Sequence, residues 1–168
     1  MTLNLNKIGL LTRDESSEYP YDEVRELFGR YQIEVVLIEE EITPNHLDMV
    51  VAMGGDGTVL RALDHFPRCP VLAINFGTVG FLTAGDRTDL ALIVELLMDG
   101  RYIISERLVL NCRYPNGEMH VVNEVMVRAS YKLAFTDVFV DGAEIRTITG
   151  DGVIVGTPTG STGHLLSS

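Results

Sequence analysis

Residues 50–63 read VVAMGGDGTVLRAL. An apolar run enters Gly54, Gly55, Asp56, Gly57 and Thr58, and a helical pattern follows. A strand that ends in a glycine turn and opens a helix makes an anion site. Backbone N–H groups can approach phosphate oxygens there, and the helix dipole adds about 0.3–1 kcal/mol per charge. A Walker loop is excluded, because the chain holds only Lys7 and Lys132. A dinucleotide fingerprint fails as well, since Leu60 stands where its third glycine belongs. What remains is a glycine loop with a carboxylate inside it. Beside phosphate, a carboxylate makes chemical sense as a base on a hydroxyl, or with magnesium between the two. Both belong to phosphoryl transfer. The plainer alternative is a strand–helix turn whose helix Asp56 caps.

Three further stretches carry the same chemistry. NFGTVGFL (75–82) is a second glycine loop on the same edge of the sheet, or simply a tight turn. NEV (123–125) puts a polar pair, Asn123 and Glu124, at a strand start; alone it reads as a hydrogen-bonded strand end before it reads as a ligand site. GDGVIVGTPTGSTGHLLSS (150–168) places Asp151 before an apolar strand, then crowds Thr157, Thr159, Ser161 and Thr162 around Pro158 and Gly160. A loop so rich in hydroxyls and glycines offers donors to sugars, phosphates or a base. Otherwise it is a solvated turn that caps a helix beginning near Ser161. Arg61 reads either as a cation for phosphate or as a solvated helix residue.

The elements that must position these residues are legible from their periodicity. KIGLL (7–11), IEVVLI (33–38), DMVVAM (48–53) and PVLAIN (70–75) are predicted strands. Val24, Leu27, Phe28 and Tyr31 form a helical stripe, a second helix is expected from Thr58 to Phe66, and a third over 88–100, capped by Thr88 and stopped by Gly100. Continuous apolar strands alternating with helices predict an α/β fold, an open and mostly parallel sheet with helices on both faces. Past Gly100 the texture changes. Pro115-Asn116-Gly117 and Asp141-Gly142 separate strand-like runs, so an antiparallel β-rich domain is expected. The expected domains are residues 1–100, with the GGDGT loop, and 101–168. Charge divides the same way: 7 basic and 17 acidic residues in 1–100, against 6 and 7 in 101–168.

Composition narrows the function. The net charge of −11 disfavours nucleic acid as a partner. No apolar run reaches the length of a membrane span, and the N-terminus lacks the pattern of a signal peptide. Cys69 and Cys112 lie far apart, and the four histidines are scattered. A cytoplasmic protein with no protein-built metal site is therefore expected.

Taken together, GGDGT, NFGTVGFL, NEV and DGVIVGTPTGSTGH resemble the NAD kinase family, in that family's order. GGDGT alone is shared with diacylglycerol and sphingosine kinases and phosphofructokinases; the TPTGST stretch is more specific. The resemblance implies transfer of a phosphoryl group from ATP, or polyphosphate, to the 2′-hydroxyl of the adenosine ribose of NAD, giving NADP, with a divalent metal such as magnesium. It implies Asp56 as general base, and Gly54, Gly55 and Gly57 as the positions where the backbone meets phosphate. Thr58, Asn75 and Phe76 would belong to the same dinucleotide site. Asn123 and Glu124 would bind dinucleotide hydroxyls, Asp151 the nicotinamide side, and Thr159, Ser161, Thr162 and Ser167 the adenosine. His164 stands where the family has a tyrosine packed on a base, after Gly163 in place of alanine; Gly156 replaces a serine. Family members form homodimers or tetramers. The family pattern runs on past Ser168, so a piece of a longer chain is expected. A non-catalytic dinucleotide-binding module and a diacylglycerol-type lipid kinase are the competing readings.

Overall fold

The computed structural model describes residues 3–13, 19–38, 46–77 and 80–162. The chain forms two compact units, Met1–Ser105 and Glu106–Ser168.

The first unit is a five-stranded parallel sheet. Its strands are β1 (Lys7–Thr12), β2 (Glu34–Leu37), β3 (Met49–Gly54), β4 (Val71–Asn75) and β5 (Gly85–Asp86), in the order β2-β1-β3-β4-β5. Strand residues alternate between two faces. One face, with Ile8, Leu10, Met49, Val51, Met53 and Ile74, packs against α1 (Tyr21–Gly29) and α3 (Leu90–Met98) through Val24, Phe28, Leu90 and Val94. The other, with Leu11, Val50 and Ala52, packs against Ala62 of α2 (Asp56–His65). All six residues of β3 are buried, as a central strand covered on both faces requires. Each fully buried Leu, Ile or Phe contributes about 1.5–3 kcal/mol.

Three helix boundaries and one short strand depart from expectation. α2 begins at Asp56, two residues early, because Gly55 in extended conformation takes the cap position. Asp56 is thus the first helical residue and does not cap the helix. α1 stops at Gly29, so Tyr31 leaves the stripe and is 43% exposed. Thr88 does not cap α3; it lies inside a 3₁₀ turn, Arg87–Asp89, that precedes it. The short β5 had no periodic signal. The stop at Gly100 is as expected: φ is +71°, and its N–H and that of Arg101 donate to the carbonyls of Leu97 (3.1 Å) and Leu96 (2.8 Å). That pairing closes the helix end and uses a left-handed residue to do so.

The second unit is antiparallel. β6 (Leu110–Tyr114) pairs with β7 (Gly117–Val121), β8 (Glu124–Arg128) with β11 (Gly152–Gly156), and β9 (Ala134–Val140) with β10 (Ala143–Gly150). Asp141 and Gly142 join β9 to β10 with φ of +51° and +81°. Positive φ at both central residues is the turn whose twist matches paired strands. Among the described residues no helix is long and apolar enough to cross a membrane.

Candidate functional site

Strand order reverses between β1 and β3, and the glycine turn sits at the carboxyl end of β3, the edge where open α/β sheets gather ligands. Gly54 allows the turn to close: a Cβ there would collide with the Thr58 hydroxyl. Gly55 and Gly57 face open space, with nothing within 4 Å of a Cβ. The Asp56 side chain crosses to the second glycine loop. Its Oδ1 accepts the N–H of Phe81 (3.0 Å) and of Leu82 (3.0 Å), and its Oδ2 is 3.2 Å from the Phe81 nitrogen. A third bond, from the Phe76 N–H to the Gly54 carbonyl (3.2 Å), joins the loops at their bases. The two loops therefore form one assembly, with the carboxylate as its tie. Among the described residues Oδ2 accepts a single N–H, which leaves it a further lone pair.

Asn75 is buried at the end of β4. Its amide donates to Asp86 Oδ1 (2.8 Å) and to the Gly77 carbonyl (3.3 Å), and its Oδ1 accepts the Gly77 N–H (3.0 Å). Beside it lies a cavity of roughly 570 Å³, lined by Tyr19, Asn75, Phe76, Asp86 and Arg87 among others. The Arg87 guanidinium sits 5.6 Å over the Phe76 ring, which also meets Tyr19 at 5.2 Å. Arg61, on α2, is half-buried and donates to the Thr12 carbonyl, so it links that helix to the end of β1.

In the second unit, register places Glu124 opposite Gly156, and the hydroxyl-rich loop follows directly. The Thr157 N–H donates to the Asn123 carbonyl (2.8 Å), and its hydroxyl donates to the Val122 carbonyl. The Thr159 N–H donates back to that hydroxyl (3.1 Å), and the Ser161 hydroxyl donates to the Pro158 carbonyl (2.7 Å). Glu124 Oε2 is buried without a hydrogen-bond partner among the described residues. Asn123, Glu124 and Thr159 are thus brought to one end of the β8–β11 pair. Asp151 lies at the other end, exposed, with its carboxylate 3.7 Å from Arg128 Nη2. Thr162 ends a 3₁₀ turn, Gly160–Thr162; the expected His164 and Ser167 lie outside the described residues.

Sequence reasoning did not single out Phe81 and Leu82, whose contribution is backbone N–H, nor Arg87. Thr157 appeared only as one hydroxyl in a crowd. The signal for it was the general tendency of a threonine in a turn to bond backbone groups nearby.

Comparison with known proteins gives these loops a context. The family model for the ATP-NAD kinase N-terminal domain matches residues 10–102, more than half of the chain. The chain belongs to the ATP-NAD kinase family. Family relatives include an NAD kinase of Thermomicrobium roseum, 33% identical over 155 residues, covering 88% of this chain and 53% of that protein. Another is an NAD kinase of Pyrococcus furiosus, 32% identical over 166 residues, covering 95% and 55%. The chain therefore spans about half the length of the curated relatives it matches. Among solved structures, an NAD kinase from Archaeoglobus fulgidus in complex with ATP superposes with a TM-score of 0.74 at 29% identity, over 96% of this chain and 64% of that one. Yeast NADH kinase complexed with NADH gives 0.73 at 24% identity, over 97% and 60%, a likeness of fold.

Proposed function

We propose that this chain carries the catalytic loops of an NAD kinase, which transfers the γ-phosphoryl group of ATP to the 2′-hydroxyl of the adenosine ribose of NAD. The observation that carries the reading is the Asp56 carboxylate, fixed inside a glycine turn by the amides of a second glycine loop. Asp56 takes the proton of the 2′-hydroxyl as its oxygen bonds to the γ-phosphorus. The bond from that phosphorus to the β–γ bridging oxygen breaks, and ADP leaves. General base catalysis of this kind contributes about 10²–10⁴-fold. The remainder comes from holding acceptor and donor in line.

Gly54, Gly55 and Gly57 are proposed to bring the backbone close to phosphate, and Thr58, Asn75 and Phe76 to belong to the dinucleotide site. In the second unit, Asn123 and Glu124 accept from its hydroxyls, Thr159, Ser161, Thr162, His164 and Ser167 surround the adenosine, and Asp151 serves the nicotinamide side. Magnesium bound with ATP would neutralise charge on the phosphates. Phosphates and water would supply most ligands of such an ion. Action as a homodimer or tetramer in the cytoplasm belongs to the same proposal.

The test is NADP formation from NAD, ATP and magnesium by the wild-type chain and by Asp56→Asn, with NAD binding measured alongside. The expected result is turnover that falls by about two orders of magnitude or more in the variant, with NAD binding kept. Binding without turnover in either protein would favour a dinucleotide-binding module. A folded chain that neither binds nor turns over NAD would refute the reading.

A further inference from the structure

Thr157 is only 2% exposed. A hydroxyl has one proton and two lone pairs, and Thr157 engages all three. The proton goes to the Val122 carbonyl, and the lone pairs accept the N–H groups of Thr159 (3.1 Å) and Gly160 (3.2 Å). With the bond from its own N–H to the Asn123 carbonyl (2.8 Å), Thr157 makes four bonds: two tie the TPTG loop to the entry of β8 and two hold the loop itself. The result is close packing at Gly160. A Cβ there would meet the Asn123 carbonyl and stand 2.8 Å from Glu124 Oε2. That same Oε2 is the buried acceptor with no partner among the described residues. A buried acceptor left unpaired is costly, and a hydroxyl donor from a ligand would satisfy it.

We propose that Thr157 is a positioning residue for the dinucleotide: it presses the Gly160 backbone against Asn123 and Glu124 and so fixes the Glu124 carboxylate as acceptor for a ligand hydroxyl. This assignment rests on the NAD kinase reading above. Thr157 does not touch the ligand; it acts through Glu124.

The experiment is calorimetric titration of NAD into the wild-type chain, Thr157→Val, Thr157→Ser, Glu124→Gln, and the Thr157→Val/Glu124→Gln double variant, each checked by a thermal melt. Valine keeps the shape and loses the hydroxyl; serine keeps the hydroxyl. Thr157→Val is expected to weaken NAD binding about tenfold or more, and Thr157→Ser to stay within about threefold of wild type. The double variant should bind within about threefold of Glu124→Gln alone, because both changes act on one carboxylate. If the valine variant does not fold, Thr157→Cys takes its place under the same criteria. Unchanged binding by the variant lacking the hydroxyl would overturn the assignment, as would failure of serine to rescue or losses that multiply in the double variant. A folded wild-type chain that binds no NAD overturns the kinase reading together with this one. NAD binding that ignores Thr157 overturns this one alone.

Discussion

Two aspartates in the first unit solve the same local problem with the same geometry. Asp56 accepts the N–H groups of consecutive residues Phe81 and Leu82; Asp48 accepts those of Asn6 (2.7 Å) and Lys7 (2.9 Å) through Oδ2. Asp48 is the purely structural case. The Asn6 and Lys7 amides hold its carboxyl below the ordinary value of 3.8, against a smaller opposing effect of burial. A folded pKa that is lowered means stability present above the unfolded pKa and lost as pH falls through the folded one. Asp48→Asn is therefore expected to cost about 1 kcal/mol at pH 7, the value for charged hydrogen bonds reduced for a well-solvated group. The difference from wild type should shrink as pH falls below 3.8, and urea melts at pH 7 and pH 3 measure both ends. A gap that is equal at both pH values would contradict it.

At the scale of elements, what was legible depended on whether the cause was local. The Asp141-Gly142 hairpin and the stop at Gly100 follow from residues that tolerate positive φ, so the sequence announces them. The start of α2 was misread because its cap is Gly55, which leaves no polar signature. The partnership of Asp56 with the second loop was invisible for another reason: its donors are backbone N–H groups 25 and 26 residues away. The role of Thr157 lies between these cases, with its loop contacts local and its bond to Val122 at a separation of 35 residues. The hairpin gives a clean test. A Cβ on Gly142 would touch nothing within 4 Å, so Gly142→Ala isolates the cost of its φ of +81°. The expected loss is about 1 kcal/mol, read from chemical denaturation. No loss would mean that the turn rearranges freely.

For the whole molecule, the core is unevenly shared. Every residue of the two hydrophobic clusters lies in the first unit, whereas Val122 is the one buried hydrophobic found in the second among the described residues. The second unit instead exposes large apolar side chains, Phe135 at 77% and Phe139, Ile145 and Val155 at more than half. Burial of apolar area is the main source of stability, so the two units differ in what they can do alone. A fragment spanning 1–105 should unfold in one cooperative transition, followed by circular dichroism. The fragment 106–168 should melt without a clear transition and bind a hydrophobic dye. A sharp melt of the second fragment would refute this division of stability.

Gly54 and Gly160 share a constraint. Each faces a neighbour that leaves no room for a Cβ, the Thr58 hydroxyl in one case and the Asn123 carbonyl in the other. Packing alone would keep these glycines, whatever the chain binds. The Phe81 ring is under no such constraint, since it stands 86% exposed. The presence of these two glycines is therefore explained by packing before any ligand is invoked.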